Sequence, residues 1–426
     1  MERREDHGHT GGPGFTGRSR GIPADQATIR RSNLSLVLRH VSERGQSSRS
    51  AVALATGLNK TTITSLVNEL QARGLLKEIG PRHAGSVGRP SLVLALDGSR
   101  TGALGMEVNV DYIAAFATDL AGRVLIDRRI GFDAMEAGPD RSLDKLATVI
   151  SRAVADLDRL GVALSGVTVA VPGLIEASTC TVTLAPNLGW REVPVADRLV
   201  AAGVPADVPI TIDNDANLAA LAECSSGVAM GVSDLVYLTG EVGVGCGIIS
   251  GGRPYRGADG FAGEVGHVVV DPAGELCGCG RTGCWETKVG LAALVRMATP
   301  DHAYGTDQRF VRDPEERLAE IEQRRAEGDL RVDAAVIEVG RWLGRGAALL
   351  VNLFNPRMIV LGGYFARLAD RLIPVAQKEL ERSSVAMAAG RCRFAISEFG
   401  FGAASRGAAH VVTERVLSNP TTIAIR

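Results

Sequence analysis

No stretch of this chain approaches the roughly 18 consecutive apolar residues that cross a bilayer, which excludes a helical membrane protein and leaves no membrane partner to expect. Residues 1–21 are rich in Gly, Arg and His and lack an apolar h-region, so they do not read as a secretory signal; the expected compartment is the cytoplasm. The same shortage leaves residues 1–24 nothing to bury, and they are expected to be a disordered tail. Cysteine is scarce and its count is odd, seven in 426 residues, which in a reducing compartment argues against a disulfide framework. With only 4% aromatic but 45% hydrophobic residues, the chain is globular. It has more than one domain, because a single core stops growing at about 250–300 residues.

The near absence of net charge, −1 overall, hides a division. Residues 1–100 carry 15 Lys and Arg against 8 Asp and Glu, and the remainder carries 32 against 40. A basic head on an acidic body points to a polyanion as the head's partner. Within the head, Leu34, Val37, Leu38 and Val41 recur at i, i+3, i+4 and i+7, and Ile63, Leu66, Val67 and Leu70 repeat the spacing, each marking one apolar helix face. Ser48 is placed to cap a short helix over residues 49–56 that ends at Gly57, and Asn59 to cap the next. Three helices with a tight turn before the last form a helix-turn-helix, whose second helix enters the major groove of double-stranded DNA. Thr61, Ser65 and Asn68 face away from the apolar stripe, and Lys60 and Thr62 stand at the helix start; these residues would meet an operator. Two short strands, residues 75–80 and 91–96, would form a wing whose tip, Gly88-Arg89-Pro90, offers Arg89 to a narrow minor groove. A small bundle that binds protein or dimerises is the alternative.

One histidine and three cysteines, His267, Cys277, Cys279 and Cys284, fall in a short Gly-rich stretch. Four N and S donors with glycines at 278, 280 and 283 suit a closed tetrahedral Zn²⁺ site, structural rather than catalytic, one ion per chain. A disulfide or three unrelated core thiols stay open as alternatives. Cys180, Cys224, Cys246 and Cys392 are scattered among small or apolar residues and read as inert core thiols.

From residue 103 onward, short strands alternate with helices. A meander over 103–110, 112–118 and 124–129 precedes a helix near 141–160 and a buried strand, 166–171. Strand 210–212, helix 216–225, strands 235–238 and 245–249, a helix containing 342–354 and strand 358–361 follow. The alternation predicts an α/β body of two lobes. Residues 299–331, polar and charged, read as a helical surface insertion.

The run Gly266-His267, Cys277-x-Cys279-Gly280-x-x-Gly283-Cys284-x-Glu286, with Asp213-Asn214-Asp215-Ala216-Asn217 and Gly88-Arg89-Pro90, resembles the ROK family of repressors, open reading frames and kinases, in particular its repressor branch of N-acetylglucosamine and xylose regulators. The resemblance runs from about residue 29 to the C-terminus. It implies a winged helix-turn-helix over residues 25–98 and, over 99–426, an actin-like, ribonuclease-H-like ATPase body with a sugar cleft between its lobes. In family kinases the aspartate of Asn-Asp-Ala-Asn takes the proton of the attacking sugar hydroxyl; that position is Asp215, here a vestigial base. Asn214, Asp215, Glu264, His267 and Glu286 would hydrogen-bond a sugar, with Asn187 and Gly173 adding to the cleft, and zinc would fix the orientation of His267. Taken alone, Asp215 would read as a helix N-cap.

Family kinases open with Asp-x-Gly-Gly-Thr, whose small residues let backbone amides reach phosphates. This chain has Glu107-Val108-Asn109-Val110-Asp111 instead, with Asp111 near the threonine position. A carboxylate around 5 Å from a phosphate charge would cost on the order of 3 kcal/mol. The second loop, residues 239–245, keeps its glycines but adds Glu241, and Gly362-Gly363 resembles the adenosine-side turn. The expected protein is therefore no enzyme but a sugar-responsive regulator, a repressor of carbohydrate-utilisation genes, acting as a homodimer or dimer of dimers and sensing a sugar or sugar phosphate. An active kinase with a regulatory head, or a DNA-binding scaffold governed by a protein partner, are the alternatives.

Overall fold

The computed structural model describes residues 25–80, 92–299, 314–385 and 392–425. The tail over 1–24 and the wing tip with Arg89 lie outside the described residues.

The head comprises α1 (Gln26–Arg44), β1 (Ser47–Ser48), α2 (Arg49–Thr56), α3 (Lys60–Ala72), β2 (Leu76–Ile79) and β3 (Val93–Leu96). Ser48 and Asn59 cap α2 and α3 as the sequence predicts, accepting the N–H groups of Ala51 and Thr62 at 3.1 and 2.8 Å. Gly57, at φ 72°, takes the left-handed turn that ends α2. The two apolar stripes meet in one core, each residue at most 1% exposed. Leu120, Val416 and Leu417 of the body complete that core. The wing strands pair antiparallel, and β1 joins them in the order β1-β3-β2. Two residues of Ser-Ser carry no strand signal of their own, so this third strand was not legible.

The first lobe is built from β4 (Thr101–Val108), β5 (Tyr112–Asp119), β6 (Val124–Gly131), α4 (Ala134–Arg159), β7 (Ala163–Val171), a small sheet of β8 (Leu174–Glu176), β9 (Thr181–Ala185) and β10 (Trp190–Pro194), then α5 (Val195–Ala201) and β11 (Ile210–Asn214). The main sheet runs β11-β7-β4-β5-β6, with β11 and β4 parallel to β7 and the meander antiparallel. Helix α4 starts before residue 141 because it resumes across a break at Gly138, φ 70°, ahead of Pro139.

The second lobe follows helix α6 (Asp215–Ser226). It contains β12 (Leu235–Gly240), β13 (Val244–Ser250), β14 (Arg253–Pro254), α7 (Glu286–Val289), α8 (Leu291–Ala298), α9 (Pro314–Ala326), α10 (Leu330–Phe354), β15 (Met358–Gly363), α11 (Tyr364–Arg367), α12 (Ala369–Ser383) and β16 (Arg393–Ile396), and the chain returns through α13 (Ala403–Ser418). Its sheet runs β14-β13-β12-β15-β16. The expected surface insertion over 299–331 is corrected here. Leu318 and Ile321 of α9 are each 1% exposed and sit in the second lobe's core, an i, i+3 pair that charged neighbours concealed; residues 300–313 lie outside the described residues.

Helices α6 and α13 pack together between the lobes, α6 against β12 and β13 and α13 against β4 and β7. Both contacts are backbone to backbone. A Cβ at Gly407 would lie 1.8 Å from the Leu218 carbonyl oxygen, and one at Gly105 would lie 1.9 Å from that of Ser405. The far end of α13 holds the head, because Arg39 of α1 pairs with Glu414 at 2.8 Å and donates to Ser418 Oγ at 2.6 Å.

Candidate functional site

Four donors converge on the loop after β14. His267 ends a 3-10 turn, Val265–His267, and its side chain and those of Cys277, Cys279 and Cys284 each bring one ligand atom within 4.8 Å of all the others. Cys279 Sγ and Cys284 Sγ are 3.6 Å apart, far beyond a disulfide bond of about 2.05 Å, and all seven cysteines are free thiols. Two sulfurs bound at about 2.3 Å to one tetrahedral ion would stand about 3.8 Å apart, so the spacing fits a shared metal. The loop closes through bridges between Val269 and Cys284 and between Leu276 and Thr282. Gly283 is obligatory: its φ is 77°, and a Cβ there would lie 1.7 Å from the Asp271 carbonyl oxygen. Trp285 anchors the loop. Its ring rests where a Cβ on Gly346 would intrude, and its Nε1 donates to the Trp342 carbonyl at 2.9 Å. Of the other thiols, Cys392 and Cys246 are buried, Cys246 behind the cleft described next, and Cys180 and Cys224 are half-buried.

Asn187, Gly173, Asn214, Asp215, Glu264, His267 and Glu286 all line one cleft between the lobes. The N-cap of α6 is Asn214, which accepts from Asn217 N–H at 3.1 Å and donates Nδ2 to the Gly173 carbonyl at 3.2 Å. Asp215, freed from capping, sits in the first turn and accepts from the Ala216 N–H at 2.8 Å. Burial pushes its carboxyl up to about 6, the Ala216 N–H opposing and the Glu264 charge adding. His267 turns Nδ1 toward Cys277 Sγ, 3.6 Å away, and Nε2 toward Glu264, 3.9 Å away, so one ring joins the metal cluster to the cleft. Glu286 approaches both, 2.7 Å from Cys277 Sγ and 3.5 Å from His267 Nδ1. Asn217 lines the cleft with its Oδ1 buried and without a partner; it closes the Asn-Asp-Ala-Asn run, which is the signal that could have found it.

The phosphate side differs from the sequence reading. Asp111 is half-buried and does not line the cleft; from this stretch Asn109 and Val110 do, so no carboxylate of the β4–β5 turn faces that space. Glu107 and Glu241 take over. Tyr112 Oη donates to Glu107 Oε1 at 2.5 Å, and Asn109 Nδ2 donates to Tyr112 Oη at 3.1 Å and, across the lobes, to Glu241 Oε2. Burial foremost pushes Glu107 up to about 7, and burial, then the charges of Glu107 and Asp215, push Glu241 up to about 8. The residue types of both loops were legible; their pairing across the lobes was not.

On the head, Lys60, Thr61, Ser65 and Asn68 are exposed on α3 and Thr62 is half-buried. Two arginines from other helices flank this face. Arg30 pairs with Glu69 at 2.5 Å and reaches Ser65 Oγ at 3.4 Å, while Arg49 donates to Asn68 Oδ1 at 3.2 Å and to Glu78 at 2.9 Å. Asn68 is thus engaged in the free protein.

The ROK family model matches residues 103–415. The xylose repressor of Caldicellulosiruptor bescii is 32% identical over 339 residues, 78% of this chain and 83% of the relative. A crystal structure of a ROK family transcriptional regulator, described as a homolog of the E. coli Mlc protein, superposes with a TM-score of 0.75 at 26% identity, covering 92% of this chain and 98% of its own. A ROK family glucokinase from Streptomyces griseus, in complex with glucose and AMPPNP, reaches 0.60 at 28% identity and covers 73% of this chain and 98% of its own. The kinase is matched almost end to end yet leaves a quarter of this chain over, whereas the regulator leaves little. No described helix is long and apolar enough to cross a membrane. With an actin-like two-lobed α/β body and a family match over most of its length, the chain belongs to the ROK family.

Proposed function

We propose that the protein is a sugar-responsive repressor of carbohydrate-utilisation genes, acting in the cytoplasm, with residues 25–98 binding an operator and residues 99–426 sensing the sugar. The observation that carries this reading is the fate of the two cleft ends. The end near the zinc loop keeps Asn214, Asp215, Glu264 and Glu286 facing open space, while the phosphate end is occupied by Glu107, Asn109 and Glu241 bonded to one another. Such a body holds a sugar and disfavours a nucleotide, which suits a sensor rather than a kinase. Asn187, Gly173 and His267 complete the sugar site.

The Cys₃His donor set suits Zn²⁺, which would be held by His267, Cys277, Cys279 and Cys284 and would supply a closed structural clamp. His267 would then present a fixed Nε2 to the cleft. On the head, Lys60, Thr61, Thr62, Ser65, Asn68 and Arg89 would face DNA, and a homodimer would read a two-fold operator. A sugar changes operator affinity only through different affinity for two arrangements of the chain. The route runs from Asp215 at the start of α6 to α13 and from Glu414 to Arg39 of the head. Retention of Asp215 favours one second reading, an active sugar kinase with a regulatory head. Operator affinity by fluorescence anisotropy across a sugar panel, beside a coupled ATP-turnover assay, decides between them. A sugar-dependent shift without turnover supports the sensor; turnover with sugar-independent DNA binding supports the kinase.

A further inference from the structure

We propose that the cleft selects an uncharged sugar and rejects the phosphate ester of that same sugar, because carboxyl groups line it and, among the described residues, no Lys or Arg does. This rests on the sugar-sensing reading and narrows it.

Among the described residues lining the cleft there is no Lys or Arg. Arg256, carried by the segment that leads from β14 to the cleft wall, gives its guanidinium to both carboxylate oxygens of Asp213, at 2.8 and 2.7 Å. His267 is the one basic ring in the lining, and it belongs to the Cys₃His cluster, where three thiolates would outweigh the charge of the one divalent ion they would hold. Against this stand the carboxyl groups of Asp215, Glu241, Glu264 and Glu286, with Glu107 behind them. Glu107 Oε2 is buried without a partner, so the wall already holds more acceptors than donors.

Three of the backbone amides at the phosphate end are already spent. An anion between the two loops would need their N–H groups, as phosphate sites do. Here Glu241 N–H is spent on the Gly243 carbonyl at 3.0 Å, Asn109 N–H on the Tyr112 carbonyl at 2.9 Å, and Val110 N–H on Asn109 Oδ1 at 2.7 Å. Asn109 Nδ2, a side-chain donor on that wall, is taken by Glu241 and Tyr112. The upward shifts at Glu107 and Glu241 come first from burial, with neighbouring carboxyl charge adding to it. Sugar hydroxyls meet the opposite situation, because each can donate to a carboxylate that lacks a partner. One phosphate charge about 5 Å from one ionised carboxylate, which Asp215 is above about pH 6, lowers affinity by on the order of 100-fold.

The test is calorimetric titration of the full-length, zinc-replete protein with neutral aldoses and N-acetylamino sugars, each beside its own terminal phosphate ester. The expected result is a neutral sugar that binds and an ester at least 100-fold weaker. Glu241, which keeps its proton up to about pH 8, adds its charge only above that, so the ester's disadvantage is expected to widen at least 3-fold between pH 7 and pH 9.5 in wild type and to stay constant over that range in Glu241→Gln. An ester that binds wild type as tightly as the neutral sugar overturns the selectivity and leaves sugar sensing standing. Absence of binding by every sugar and every ester overturns the sensing reading and this inference together. The wild-type comparison is decisive by itself should the variant fold poorly.

Discussion

At the end of the cleft beside the Cys₃His loop, the polar side chains are steadied by neighbours and still face the cavity: Asn214 holds Gly173 and caps α6, and Asp215 accepts from Ala216 N–H. At the opposite end, Glu107, Asn109, Tyr112 and Glu241 are bonded to each other, and Glu107 Oε2, left without a partner, is buried and does not line the cleft. Carboxylates dominate both ends. What separates them is unspent capacity, and a motif search by residue type does not register that property. A cleft can therefore lose one guest and keep another without losing its charge.

Dismantling the zinc-loop end should have the largest effect. Elemental analysis is expected to find one zinc per chain in wild type and none in Cys284→Ala, which should also lose on the order of 5 kcal/mol of stability and the sugar response while the head still binds operator. Wild-type protein free of zinc and still responsive to sugar would refute the clamp. A milder change at the same end sharpens the contrast. Asp215→Asn, which keeps volume but loses a charged acceptor, should weaken the sugar effect on operator affinity by roughly 10- to 100-fold, about 1.5–3 kcal/mol, and Glu286→Gln should behave alike. Undiminished sensitivity in both variants would place the sugar elsewhere.

The phosphate end is tested by pH. Glu241 holds its proton up to about pH 8 in the folded chain and only to about 4.5 unfolded, and Glu107 behaves likewise up to about 7. The native state therefore carries the extra proton between these limits, and stability falls as pH rises through that window. Glu241→Gln should flatten the fall, exceeding wild type by on the order of 2 kcal/mol near pH 8.5 and matching it near pH 5. Chemical denaturation at the two pH values reads this out, and an equal slope in both proteins would dissolve the cluster. The smallest effect lies outside the cleft. Thr61→Ala or Ser65→Ala should change base preference at one operator position by about 1–2 kcal/mol, whereas Lys60→Ala should weaken all sequences evenly and reduce the salt slope by roughly one. Identical sequence preferences for wild type and both hydroxyl variants would remove α3 from the groove.

Local chemistry was legible wherever a few residues suffice. The stripes of α1 and α3, the caps Ser48 and Asn59 and the Cys₃His set each need fewer than twenty residues to be recognised, and the structure brings each together. Eight of the ten strands in the two main sheets were recovered to within three residues, because apolar runs end at Gly or Asp turns, whereas the edge strands β14 and β16, two and four residues long, were missed. Three further features were not legible. The small sheet of β8, β9 and β10 is made of three- to five-residue strands with little alternation. Asp111 was assigned by counting along a motif, and the chain reverses between β4 and β5 so that Asn109 takes the place facing the cleft. The bond from Asn109 to Glu241 spans 132 positions and depends on how the lobes meet, which no local pattern encodes.

Side chains at an ordinary helix interface behave as a cushion, absorbing small displacements by changing rotamer. Gly407 on Leu218 and Gly105 on Ser405 remove that cushion on two sides of α13. A helix of 16 residues is about 24 Å long, and this one meets rigid backbone along it before ending against Arg39. Like a gear cut with little backlash, it leaves little slack to absorb a displacement of α6, so a shift of a few tenths of an ångström at the cleft would be carried toward the head.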